Sequence, residues 1–294
     1  NYTPDLIIAV GGGSVIDYAK IANTLTESIN LKEELINSTY KAKKYTKLVA
    51  IPTTAGSGAE VTSNAVIYVD KIKYSVEGEQ LRPDYFFLIP ELVLSGSNKI
   101  KSSAGFDAIA QAIESLISRK SNEKSKVFAE KSLKLSLNYF LDYLYKPNYE
   151  NTSAMCLAAN LSGEAISISK TTAPHAVSYP FTALYNVSHG HAVSLTLNKF
   201  LKFNYKNLAS AKCDFDLNER FKILFDVSKV SNFDAFDQYL IKLRDNAKLE
   251  NNFEKLGIDI NKNYSTIISS VNSQRLANNP VDLNLEDLKK IIQS

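Results

Sequence analysis

Residues 5–25 read DLIIAVGGGSVIDYAKIANTL, and the fold class turns on them. Residues 5–10 are a short, unbroken apolar run of the kind found in strands buried on both faces. Gly11, Gly12, Gly13 and Ser14 break the run. Residues 15–25 then follow helical spacing, with Val15, Tyr18, Ala19 and Ala22 on one side. A strand that enters a helix through glycines presents backbone N–H groups at the positive helix end, with room for a pyrophosphate. Asp17, read as part of the first helical turn, complements the dipole and can bond free N–H groups there. A tight strand–helix turn without a ligand fits the same pattern.

Working outward, a second strand at 48–51 ends at Pro52 and runs into Thr53, Thr54, Ala55, Gly56, Ser57 and Gly58. Hydroxyls and flexible backbone at another strand's C-terminal end favour the ligand reading, because open sheets bind ligands there. Thr53, Thr54 and Ser57 join the glycines as candidate cofactor contacts, and Lys73 can add a positive charge. Further β-rich runs lie at 64–69 and 85–89. Strands alternating with helices predict an open, mainly parallel sheet. From about Ser95 the texture is helical: Ala129, Leu133, Leu137, Phe140, Leu141 and Leu144 trace one stripe. Near the end, Asn284 is placed to cap a helix carrying Leu285, Leu288, Ile291 and Ile292. The boundary at 92–98 divides an α/β dinucleotide-binding domain, 1–94, from a helical metal- and substrate-binding domain, 95–294.

The 34 basic and 31 acidic residues nearly cancel, at +3, and the basic ones are scattered. The one cluster, Lys41, Lys43, Lys44 and Lys47, reads as a solvated loop, so nothing marks a nucleic-acid partner. Cys156 and Cys213 are far apart and form no disulfide framework, which fits a reducing compartment. With no membrane span and no signal peptide, the expectation is a cytoplasmic protein. The chain opens Asn-Tyr-Thr-Pro directly before a strand, and its only methionine is Met155. It therefore reads as truncated, with an N-terminal portion outside the sequence.

The three histidines, His175, His189 and His191, fall in one short segment. His175 and His189 converge only across a turn, which Gly190 is the kind of residue to permit. Upstream, Asp107 and Gln111 stand four apart in an apolar helical stretch and share a face. A carboxylate, an amide oxygen and two imidazoles suit a divalent ion such as Fe²⁺ or Zn²⁺. A buried polar network joining two helices is the other reading. Glu114, at i+7 from Asp107, is expected to cap a polar edge rather than act as a second acid. No Gly-x-Ser-x-Gly elbow, Cys–His pattern or Cys-x-x-Cys site competes.

In order and spacing, residues 11–17, 51–62, 105–114 and 175–190 resemble the iron-containing (group III) alcohol dehydrogenase family from residue 5 to the C-terminus. The resemblance implies the architecture shared with dehydroquinate synthases: a Rossmann-like α/β domain and an all-α domain, with cofactor and metal meeting between them. It places the metal on Asp107, Gln111, His175 and His189, the second being glutamine where histidine is usual; Tyr179 replaces a further family histidine. It also implies hydride transfer with NAD or NADP, the choice between them resting on a residue in the portion expected to be missing. Residues 170–179 with Gln111 are similar to a branch acting on small anionic aldehydes or alcohols. Phosphonoacetaldehyde reductases and enzymes oxidising the terminal alcohol of 3-deoxy-octulosonate belong to that branch. Lys170, Thr171 and Thr172 are then candidate contacts for the anion, and Tyr179, His191 or water the proton relay. A sugar-phosphate cyclase or lyase on the same fold, and a non-catalytic binding relic, are the rival functions. A homodimer is the default assembly.

Overall fold

The computed structural model describes residues 4–25, 27–28, 30–69 and 72–293. Strand β1 (Leu6–Gly11) enters helix α1 (Gly13–Thr24), and α2 (Leu31–Ile36) leads to β2 (Lys47–Pro52). Strands β3 (Asn64–Val69), β4 (Ile72–Glu77) and β5 (Tyr85–Phe86) follow. The remainder is helical: α3 (Pro90–Leu94), α4 (Asn98–Ile117), α5 (Glu123–Tyr145), α6 (Tyr149–Ser169), α7 (Ala173–Tyr185) and α8 (His189–Ser194). Then come α9 (Leu197–Lys206), α10 (Leu217–Ser228), α11 (Phe233–Asn246), α12 (Ile260–Ser269), α13 (Ser273–Ala277) and α14 (Leu285–Gln293). A Rossmann-like α/β part thus precedes an all-α part.

The parallel sheet has the order β1-β2-β5, with Ile7 beside Leu48 and Val49 beside Tyr85. Central β2 buries Leu48, Val49 and Ala50. Strand β1 departs from the expectation of burial on both faces. It alternates, with Leu6, Ile8 and Val10 45–58% exposed and Ala9 buried, because α1 packs on one face of it. Strand β5 covers only two of the five residues expected, since the chain leaves the ladder to reach Pro90, which opens α3. Strand β3 pairs antiparallel with β4, Ala65 facing Val76, and among the described residues has no parallel partner. The period-two pattern Ile72, Tyr74, Val76 marks β4, but interleaved polar residues hide it from a search for apolar runs.

Helix α1 also turns a different face inward. Val15 and Tyr18 are about half exposed, whereas Ile16, Lys20, Ile21 and Thr24 are buried. Ile16 packs with Ala9, Leu48 and Ala50 on the sheet, and Ile21 with Ala65 and Val76 on the hairpin. Lys20 defeats a periodicity argument that counts lysine as polar. Its Nζ donates to Thr62 O and Thr62 Oγ1 at 3.0 Å and to Asn64 O at 2.9 Å, so its donors are met inside the protein.

Helix α4 runs through the main core. Phe106, Ile109, Ile113 and Leu116 are fully buried among side chains of α5, α6, α10 and α11, each contributing on the order of 2 kcal/mol. Reciprocal capping boxes at Asn122/Ser125 and Asn148/Asn151 start α5 and α6. A second cluster joins α7, α9, α12 and α14, with Phe181, Phe200, Ile267 and Ile292 at its centre. Asn284 caps α14 through the Asp287 N–H at 2.9 Å. From Gly105 to Ile117 every residue of α4 is buried, which strips water from the polar side chains it carries there.

Candidate metal and cofactor site

Asp107 and His175 are buried, and His189 is one-third exposed. One ligand atom from each lies within 4.8 Å of the others. Asp107 projects from the middle of α4 and His175 from the first turn of α7. Helix α7 ends at Asn186, whose left-handed φ of 55° reverses the chain so that α8 brings His189 back against His175. The turn is therefore made at Asn186 and not, as expected, at Gly190. Gly190 serves close packing: a Cβ there would lie 2.0 Å from Ser103 O and 2.7 Å from Asp107 Cβ. The imidazoles of His175 and His189 meet edge-to-face at 5.3 Å.

Glu114 is the group the sequence reading undervalued. It is fully buried, and its Oε1 accepts from Thr172 N (3.0 Å), Thr172 Oγ1 (2.9 Å) and His175 N (3.3 Å). Its Oε2 makes a short hydrogen bond with His175 Nδ1. Glu114 holds a proton on Nδ1, so that when a metal displaces the Nε2 proton, now shared with Asp107 Oδ1 at 3.2 Å, the Nε2 lone pair is the one set free. The signal was present: i+7 puts Glu114 two turns along the same face as Asp107. Burial lowers the His175 pKa, but the Glu114 charge and the bonds to Asp107 and Glu114 outweigh it, raising the pKa to about 9. Two carboxylates and two imidazoles in a dry site thus attract positive charge, and three ligands with an accessible side suit a divalent ion.

Gln111 faces the same cluster with its nitrogen. Nε2 donates to Asp107 Oδ2 (3.2 Å) and Ser57 O (3.4 Å), while Oε1 accepts from Ser162 Oγ (2.9 Å). Tyr179 is buried, its ring centred 6.1 Å from that of His189, and burial pushes its phenol up. His191 is not brought in: its Nε2 donates to Glu250 O at 2.6 Å, because the next side chain but one on α8 leaves the opposite way. Lys170 stands 3.6 Å from Glu77 and lines a neighbouring cleft with Arg119 and Lys120. Thr171 lines the histidine cleft; Thr172 is taken up by Glu114.

The histidine cleft, about 400 Å³, extends to Gly13, Ser14, Asp17, Thr54 and Ser57. The N-cap of helix α1 is Gly12, which offers no side-chain cap and leaves the first N–H groups for an anion. A Cβ on Gly13 would come 2.5 Å from Ser57 Oγ, so the two glycine-rich loops touch there. Gly11 and Thr53 sit behind them, joined by Thr53 N to Gly11 O at 2.9 Å. Asp17 is the fifth residue of α1 and not part of its first turn; its Oδ2 accepts from Val66 N at 3.0 Å, tying helix to hairpin. The side chain of Lys73 lies outside the described residues.

Among the described residues no helix is long and apolar enough to cross a membrane. The chain is 30% identical over 242 residues to the 4-hydroxybutyrate dehydrogenase of Clostridium kluyveri, covering 81% of this chain and 64% of that protein. It is 31% identical over 212 residues to the phosphonoacetaldehyde reductase of Streptomyces viridochromogenes, covering 68% and 53%. It thus spans less than two-thirds of either relative. The crystal structure of sulfoacetaldehyde reductase from Bifidobacterium kashiwanohense, in complex with NAD⁺, superposes with a TM-score of 0.87. That match has 26% identity over 98% of this chain and 75% of the other. Residues 1–90 match the model for iron-containing alcohol dehydrogenase, and residues 101–294 match that for the C-terminal part of the same family. The chain belongs to the iron-containing alcohol dehydrogenase family.

Proposed function

We propose that this protein transfers hydride between a nicotinamide dinucleotide, NAD or NADP, and a small aldehyde or alcohol bearing an anionic group. Phosphonoacetaldehyde and 2-hydroxyethylphosphonate are the favoured pair. One observation carries the reading: the Asp107–His175–His189 cluster shares a cleft with the uncapped start of α1. The Gly13–Ser14 N–H groups would hold the pyrophosphate, with Thr54 and Ser57 beside them, in the same cleft as the histidines. The relatives named above, with a phosphonate, a sulfonate and a carboxylate among their compounds, support the anionic class.

Asp107, His175 and His189 would hold Fe²⁺ or Zn²⁺, which when bound supplies Lewis acidity at the carbonyl oxygen. Gln111 becomes an oxygen donor if its amide turns over; that gives up the bonds to Asp107 and Ser57 but keeps Ser162, whose hydroxyl can accept. Tyr179, protonated at neutral pH, is the cleft's proton donor on this reading, with His191 committed elsewhere. The division into 1–94 and 95–294 belongs to the same proposal, supported by the start of uninterrupted helix near α3. So do a cytoplasmic location, supported by two unpaired cysteines, and a homodimer by default.

The test is oxidation of NADH and NADPH on an aldehyde panel including phosphonoacetaldehyde, after loading with Fe²⁺ or Zn²⁺. His189→Ala should lower kcat/KM roughly 1,000-fold or more and reduce bound metal. Undiminished turnover in His189→Ala sinks the reading.

A further inference from the structure

Arg275 is the one lysine or arginine among the described residues lining the histidine cleft. It projects from α13, whose start is capped by Asn272 and whose end is anchored by Asn278. The Asn278 side chain donates to Ser169 O and Thr171 O, both at 2.9 Å. One guanidinium nitrogen makes a short hydrogen bond to Thr171 Oγ1, on a residue with no solvent exposure. The guanidinium carbon lies 5.9 Å from the centre of the Tyr179 ring. No carboxylate comes within 4.0 Å of this guanidinium among the described residues, in contrast to Lys170, which has Glu77. A guanidinium has five N–H donors in a planar fork. Thr171 and the Tyr179 hydroxyl take part of it, and the rest borders both the histidine cleft and the neighbouring one.

We propose that Arg275 is the specificity-determining residue of the cleft. It would bind the carboxylate, sulfonate or phosphonate of a short aldehyde whose carbonyl lies toward Asp107 and His189. The inference rests on the dehydrogenase reading above for the reaction, but not for the anion. Thr171 and the Tyr179 ring hold the fork in place before substrate arrives, so little side-chain freedom is lost on binding. Oxygens of a tetrahedral or planar anion can accept two parallel N–H bonds from Arg, which lysine cannot offer. The neighbouring cleft, which Arg275 borders together with Arg119, Lys120 and Lys170, then serves as an electrostatic approach that ends at Arg275.

The experiment compares wild type, Arg275→Gln, Arg275→Lys and Lys170→Gln on phosphonoacetaldehyde, succinic semialdehyde and uncharged butanal. For Arg275→Gln the ratio of kcat/KM on the anionic aldehydes to that on butanal should fall on the order of 30-fold or more, chiefly through KM. Arg275→Lys should recover only part of that ratio. A proportional loss on all three aldehydes, or loss of the ratio in Lys170→Gln but not in Arg275→Gln, overturns the proposal. Binding of methylphosphonate and propanesulfonate by calorimetry, with each variant's Tm measured alongside, separates the two claims. If wild type turns over no aldehyde, the dehydrogenase reading fails; yet weaker anion binding in a folded Arg275→Gln still supports Arg275, and equal binding still refutes it.

Discussion

Replacing Glu114 by glutamine isolates what the buried carboxylate does, because the shape is kept and only one oxygen becomes an amide. The amide has two ways to sit. If its oxygen stays on Thr172 N, Thr172 Oγ1 and His175 N, its NH₂ group faces His175 Nδ1. Two donors cannot share that contact, so the imidazole must move its proton to Nε2, the atom facing Asp107. Losing such an outer partner typically costs 10–100-fold in metal affinity, about 1.4–2.7 kcal/mol. If instead the oxygen turns to Nδ1, the NH₂ group faces two backbone N–H groups. Each orphaned donor costs roughly 1–3 kcal/mol, or about 2–6 kcal/mol of stability for the pair. The first arrangement costs less, so the expected result is weaker Zn²⁺ binding with a nearly unchanged Tm. Competition with a chromophoric chelator at pH 7 reads the affinity, and thermal unfolding of the metal-free protein reads the stability. Wild-type affinity together with wild-type Tm refutes the argument that Glu114 sets the tautomer.

Two further outcomes follow from the same structure. Gly190→Ala drives a Cβ into Ser103 O and the Asp107 backbone, neither of which can yield, so unfolding in urea should show a loss of roughly 3 kcal/mol along with weaker metal binding. Wild-type stability in that variant means that α8 and α4 are not in the contact described. At the base of β2, Asp84 accepts from Leu48 N (3.0 Å), Lys44 (3.0 Å) and Lys47 (2.9 Å). Burial alone raises its carboxyl, but those bonds bring it to about 2. Its folded value lies below the unfolded one, so its stabilisation is complete above about pH 4 and drains away toward pH 2. Asp84→Asn should lower the urea midpoint at pH 7 and flatten its fall between pH 4 and pH 2; parallel curves for the two proteins contradict the assignment.

Where a pattern is local, the sequence carried it. The run from residue 5 to residue 25 specifies a strand, a glycine turn and a helix through backbone geometry, and β1 and α1 stand there. The capping residue Asn284 and the stripe on α5 obey the 3.6-residue repeat, which needs no distant partner. Asp107, Gln111 and Glu114 share a face for the same reason. Periodicity failed where burial depended on what packs alongside. Helix α1 turns Lys20 inward because Thr62 and Asn64 wait with three oxygens, and β1 buries Ala9 but not Leu6, Ile8 or Val10 because α1 packs on one of its faces.

The metal cluster divides along the same line. Three histidines in one segment, with a carboxylate and an amide on one face of an upstream apolar helix, were visible as a ligand set, since residue type and spacing carry chemistry without coordinates. Which histidines meet the carboxylate depended on the left-handed turn at Asn186, which sends His189 inward and His191 toward Glu250. Glu114 and Arg275 stand 161 positions apart, and neither has a sequence neighbour that announces its role. Only tertiary packing sets one behind His175 and the other over Tyr179, because side chains from separate helices become neighbours only when those helices dock.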